Sequence, residues 1–158
     1  MGTHHRGSAA EVAALNAYIK LRRAVGAIDA RLVRALGEQG LTETQFGVLE
    51  VLYHLGPMCQ RDIAAKQFTS GANMTMVVNN LEKNGLVRRV RGDEDRRQYF
   101  VELTPEGKGL IRKIFPAHVQ RILAAFSALT RDEQAQLGTL CRKLGLANSR
   151  KGGSQTVK

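Results

Sequence analysis

The sequence predicts a mainly α-helical domain carrying one small β-hairpin, with a long helix on either side of a compact central lobe. Three observations predict it. Apolar residues recur at three- and four-residue steps along most of the 158 residues, which is the helical period. Between residues 60 and 84 two helical patterns are separated only by Thr69, Ser70 and Gly71. Directly after them, residues 86–91 and 98–103 read as short strands around the turn Gly92, Asp93, Glu94, Asp95.

The elements follow in order. Residues 9–37 form one long helix, with Val12, Leu15, Ile19, Val25, Ile28, Leu32 and Leu36 along one stripe. A small domain cannot cover so long a stripe alone, so a partner helix, as from a second chain, is expected. Gly37 and Gly40 flank its end. Thr42 and Gln45 then make a reciprocal cap, with Leu41 and Phe46 as the hydrophobic staple, and a helix runs to about Leu55 before Gly56 and Pro57 stop it. A short helix over 60–68 turns Ile63 and Ala64 inward. Ser70 caps the next, over 71–84, whose core face carries Met74, Val77, Val78 and Leu81. Gly85 ends it. After the hairpin, Thr104 and Pro105 open a helix expected to reach about Leu129 and to kink near Phe115, ahead of Pro116. The box Thr130 to Glu133 starts a last helix, with Leu137, Leu140 and Leu144 as its stripe and Gly145 as its stop. Residues 1–8 and 148–158 read as disordered, leaving a single domain over 9–147.

Composition narrows the function classes. An apolar fraction of 43% supplies a core. There is no apolar run of the roughly 20 residues that crossing a bilayer takes, and the N-terminal residues lack a signal peptide's apolar centre. Two cysteines without paired spacing fit a reducing cytoplasm. The net charge of +10 favours a polyanionic partner. Most of that excess lies in the C-terminal third; around the hairpin the positive charge is local, at Arg88, Arg89, Arg91, Arg96 and Arg97. No Gly-rich phosphate loop follows a strand, no G-x-S-x-G occurs, and no Cys/His or paired-carboxylate arrangement stands out, so an enzyme is not expected. Neither a cofactor nor a metal site is expected, since the four histidines show no ligand spacing.

A helix that enters the DNA major groove needs a slim outward face of short polar side chains and a positive N-terminal end. The 71–84 helix offers Asn73, Met76, Asn79, Asn80 and Lys83 outward, with Ser70 and the Gly71 N–H at its start. Asparagine amides suit base edges, and a methionine suits a thymine methyl. On its own such a helix fits an ordinary Asn-rich surface equally well. The hairpin tip adds Arg96 and Arg97, whose guanidinium groups fit a narrow A·T-rich minor groove, and Asp95, which braces an arginine. Most charged turns are merely solvated; at this spacing behind two consecutive helices, DNA is the better reading.

The stretch NMTMVVNNLEKNGLVRR followed by DEDRRQYFVELTPEG resembles the MarR (multiple antibiotic resistance regulator) family of winged helix-turn-helix transcription factors. The shared pattern comprises Thr75 on the recognition helix, then Leu81, Glu82 and Lys83, then Gly85, Leu86 and Val87, then Asp95, Arg96 and Arg97, and finally Leu103, Thr104 and Gly107. The resemblance covers about residues 10–146. It implies a homodimer, with a winged helix lobe over 42–104 and dimerisation helices over 9–37 and 105–147. It implies that Asn73, Thr75, Met76 and Asn79 face the groove or its phosphates, that Arg97 reads the minor groove and that Asp95 holds it. The operator expected from a two-fold protein is an inverted repeat on double-stranded DNA with recognition helices about 34 Å apart.

The family habit also implies repression relieved by a phenolic or drug-like effector, bound between the dimer helices and the DNA-binding lobe. In this chain that region would draw on Tyr18, Arg22, His54, Phe115 and His118, each of which also suits plain core or surface. Some family members sense oxidants through a cysteine of the first helix, which this chain lacks. Cys59, just before a helix start and near Arg61, is the alternative redox candidate, though a small apolar plug explains it too. Cys141 reads as a filler of the dimer interface. A winged helix that has become a protein–protein adaptor without DNA binding is the other alternative; such wings tend to lose their arginines, and this one keeps them.

Overall fold

The computed structural model describes residues 2–67, 69–92 and 98–149. Among the described residues nine elements follow one another: α1 (Ala9–Gly37), α2 (Glu43–Leu55), β1 (Met58–Cys59), α3 (Gln60–Lys66), α4 (Gly71–Lys83), β2 (Val87–Arg91), β3 (Tyr99–Leu103), α5 (Pro105–Ala125) and α6 (Arg131–Ser149). They fall into two compact units, one ending at Arg121 and one beginning at Ile122.

In the first unit the caps do what their chemistry requires. Thr42 accepts from the Gln45 N–H at 3.2 Å, and the Gln45 side chain accepts from the Thr42 N–H at 2.9 Å, which satisfies two donors that the helix start leaves open. Ser8 and Glu11 form a second such box at the head of α1, so the segment read as disordered ends in a cap; within it the Thr3 N–H reaches Asn16 Oδ1 at 2.7 Å. Gly85 stands at φ 70°, the left-handed turn that ends α4 and feeds β2.

The core gathers Leu41, Phe46, Val48, Leu49 and Leu52 around Ile63, the inner face of α4 (Met74, Val77, Val78, Leu81), the sheet residues Val87, Val101 and Leu103, and Ile111 and Ile114 of α5. Along α4 the buried positions step by three and four, so one stripe fixes the helix to the lobe and leaves the other face free. The hairpin expected from the sequence is joined by a third strand. β1 pairs antiparallel with β3 (Met58 with Val101, Cys59 with Phe100), giving the order β1-β3-β2. Two residues after a Gly-Pro stop are too few to show a strand's alternation, which is why the sequence did not announce them. Between β2 and β3 the register sets Val87 against Leu103 and Arg91 against Tyr99.

α1 buries only Leu36 of its stripe; Leu15 and Val25 are 37% and 46% exposed. α5 begins with Pro105 and runs through Pro116. It ends at Ala125, short of the expected Leu129, because the Ser127 hydroxyl caps the Ala124 carbonyl and the chain then turns toward Thr130. In the second unit Thr130 and Glu133 form the expected box, with the Glu133 N–H donating to Thr130 Oγ1 at 3.3 Å and the Thr130 N–H donating back to the Glu133 carboxylate at 2.8 Å. α6 passes through Gly145, expected to be its stop, and continues to Ser149: a mid-helix glycine costs only about 1 kcal/mol, and Leu146 and Ala147 favour the helix beyond it. Leu137, Leu140 and Leu144 lie exposed along α6. No helix among the described residues is long and apolar enough to cross a membrane.

Candidate nucleic-acid interface

Ser70 starts α4 by accepting from the Asn73 N–H at 3.2 Å. Its first turn holds no acidic residue, so the positive end of the helix is uncompensated beside the exposed Gly71. Such an end attracts an anion. Met76, 58% exposed, stands on the outward face with Thr75, Asn79, Asn80 and Lys83. Asn73 is half-buried, and its amide donates to Thr69 Oγ1 at 2.7 Å, tying it to the turn. Thr75 lies exposed, with its hydroxyl donating to the Gly71 carbonyl at 2.9 Å and accepting from Gln60 Nε2 at 2.6 Å.

Behind this face stands Arg89 of β2. Its guanidinium is ion-paired with Glu82 and donates to Asn79 Oδ1 at 2.6 Å and to Gln60 Oε1 at 3.4 Å. The Arg89 N–H also reaches Glu82 Oε1 at 3.1 Å. One side chain therefore joins the strand to α3 and α4 at once. The sequence marks Arg89 only as one of several local positive charges; its partners lie 7, 10 and 29 positions away, and nothing in a linear pattern pairs them. The two other described arginines of the hairpin are engaged too. Arg88 pairs with Glu102 across the strands at 2.6 Å, and Arg91 donates to the Tyr99 hydroxyl at 3.1 Å. Asp95, Arg96 and Arg97, expected at the tip, lie outside the described residues.

Of the residues expected at an effector site, the structure brings three into ring contacts. His54 meets Phe115 edge-on at 4.8 Å, and His118 packs on Phe46 at 4.3 Å. Burial pushes the His118 imidazole below its ordinary range; Glu50 and Glu43 oppose the shift and Arg121 adds to it. A cleft of about 160 Å³ opens beside it, lined by Leu36, Glu43, Phe46, Glu50 and His118 among others. Tyr18 and Arg22 stand exposed on α1 and take no part in that ring cluster.

Cys59 is half-buried at the N-cap of α3. Its thiol bonds to the Asp62 carboxylate and holds that group below the usual carboxylate range, with Arg61 contributing further. Arg61 thus directs its charge to Asp62, 3.5 Å away. Among the described residues no three His, Cys, Asp or Glu side chains converge as metal ligands would.

Comparison with known proteins agrees with this geometry. The MarR family model matches residues 41–99, which hold α2, α3, α4 and the start of the hairpin's second strand. The uncharacterized HTH-type transcriptional regulator YkoM of Bacillus subtilis is 37% identical over 84% of this chain and 86% of its own. Sco3205, a MarR family transcriptional regulator from Streptomyces coelicolor solved in complex with DNA, is 26% identical, superposes with a TM-score of 0.80, and is matched over 98% of this chain and 95% of its own. BpsR of Bordetella bronchiseptica, whose DNA binding is regulated by 6-hydroxynicotinic acid, is 27% identical with a TM-score of 0.73, over 82% of this chain and 98% of its own. The chain belongs to the MarR family and is a DNA-binding transcriptional regulator of the winged-helix type.

Proposed function

We propose that the protein is a cytoplasmic homodimeric repressor that holds an inverted-repeat operator through two copies of α4 and releases it when a small phenolic or drug-like molecule binds. The observation that carries the DNA half of this reading is the outward face of α4, where Met76, Thr75 and Asn79 stand on a helix whose inner face is locked in the core. Ser70, Gly71 and Asn73 meet phosphate or groove edge at the helix start, where backbone N–H groups and the helix dipole favour an anion. Asp95, Arg96 and Arg97 are assigned to the adjacent minor groove on the sequence pattern, with Arg97→Ala costing about 1–3 kcal/mol of affinity.

The apolar stripes of α1 and of α6 support the dimer, since each is long and largely uncovered within one chain, and a second copy is the simplest cover. For the effector, BpsR supplies the chemical precedent of a hydroxylated aromatic acid. His54, Phe115 and His118, with Tyr18 and Arg22 of α1, are the residues assigned to such a ring. Footprinting on the DNA upstream of the chain's own gene tests the reading. A protected inverted repeat that loses protection on addition of a phenolic acid is expected; absence of any protected sequence overturns it.

A further inference from the structure

We infer that Arg89 sets the polarity of the reading face, so that Asn79 addresses DNA through its NH₂ donor and recognises a single base acceptor instead of the paired N6 and N7 contacts of adenine. This rests on the proposed role of the α4 face, and it follows from which hydrogen-bonding groups Arg89 and Asn79 carry and how they are turned. A guanidinium has donors and no acceptor. Whatever side-chain atom of Asn79 sits 2.6 Å from Arg89 Nη2 must therefore be the carbonyl oxygen, and the amide's NH₂ is left for the outside. Glu82 holds Arg89 in this position through both its side chain and its backbone N–H.

The same logic propagates to Thr75. Arg89 Nη2 also donates to Gln60 Oε1, so Gln60 turns its NH₂ toward Thr75 Oγ1 and donates at 2.6 Å. The Thr75 proton is already given to the Gly71 carbonyl at 2.9 Å. The hydroxyl is thus occupied as donor and as acceptor, and what Thr75 offers the groove is chiefly its methyl group. One partly covered ion pair behind the helix fixes a face that presents a donor from Asn79 and apolar surface from Thr75 and Met76.

The consequence for specificity is concrete. An asparagine reads adenine by accepting from N6 and donating to N7 together. The Asn79 oxygen retains a second lone pair, but Arg89 holds that oxygen toward the strand and turns the NH₂ outward, so the donor contact is the one favoured. It is suited to guanine O6 or N7, thymine O4 or a lone purine N7, and it is indifferent to a base amino group. Arg89 is in this sense a positioning residue, acting through Asn79 and Gln60.

The test uses the full-length protein and duplexes selected from a random library. Comparing selections by the natural chain and by Asn79→Ala, an exposed change that leaves the core intact, identifies the position that Asn79 reads. Base analogues then divide the contact. Removing the ring or carbonyl acceptor at that position is expected to weaken binding fivefold or more, while removing an exocyclic amino group changes it less than twofold. Arg89→Met, which releases the amide, is expected to restore sensitivity to the amino group at that position. A strong dependence on a base amino group in the natural chain overturns the donor-only assignment while leaving the α4 reading intact. If Asn79→Ala alters preference at no position, both fail together.

Discussion

Arg89 Nη2 donates to Asn79 Oδ1 at 2.6 Å, so a strand residue determines which end of a helix amide faces outward. The same guanidinium is ion-paired with Glu82 one turn further along α4. Because both partners are only partly covered, solvent screens the pair, and it contributes on the order of 1 kcal/mol. A double-mutant cycle with Glu82→Gln and Arg89→Met, read by denaturant unfolding, is expected to give a coupling energy of about 1 kcal/mol. A coupling near zero would mean the brace is a contact without an energetic role.

Gly107 presents a sharper steric case. A Cβ at that position would stand 2.0 Å from the Leu86 carbonyl oxygen, which is backbone and cannot swing aside. The first turn of α5 rests there because Thr104 links it to the end of α4: the Thr104 hydroxyl donates to the Gly85 carbonyl at 2.6 Å and accepts from the Gly107 N–H at 3.0 Å. Gly107→Ala should destabilise the lobe by about 1–3 kcal/mol, the usual cost of overpacking. Gly109→Ala on the same helix meets nothing within 4 Å and serves as the control. Equal unfolding midpoints for the two variants would refute the close approach.

His118 makes stability depend on pH. Its folded-state affinity for protons is depressed, so the unfolded chain binds the proton more readily, and folding loses ground as pH falls through and below the ordinary imidazole value near 6.5. Thermal unfolding between pH 7.5 and 5 should therefore show a declining midpoint that flattens in His118→Phe, which keeps the ring packed on Phe46. An unchanged slope in that variant would assign the decline to other groups.

The cap at the head of α4 couples stability to the interface. Ser70→Ala removes the acceptor of the Asn73 N–H and should cost about 1 kcal/mol of stability. It should also weaken duplex binding at low salt, where phosphate contacts dominate, and leave a shallower dependence of affinity on salt. Loss of stability with no change in DNA affinity would confine Ser70 to a folding role.

Much of the fold was legible in the chain because its signals are local. Thr42 with Gln45, and Thr130 with Glu133, announce helix starts three residues apart, and Gly85 announces a stop. The inner face of α4 follows from spacing alone. Ser8 with Glu11 marks the start of α1 by the same three-residue spacing. What the chain did not reveal depends on partners distant in sequence or on weak local preferences. β1 is two residues long and exists because β3 offers it an edge. Gly145 has a glycine's ambiguity, and the residues beyond it decided for the helix. The outward residues of α4 were nameable from periodicity, but the brace of Arg89, Gln60 and Glu82 behind them joins three elements and has no linear signature.

The most direct test of the central claim is the sequence that the full-length protein selects from a random duplex library. Two α4 helices in successive major grooves require an inverted repeat with half-sites about 10 base pairs apart, centre to centre. Enrichment of that repeat, with the preference at one position of each half-site relaxed in Asn79→Ala, is the expected result. Enrichment of a single unrepeated site, or of no sequence at all, would contradict a dimer that reads DNA with this face.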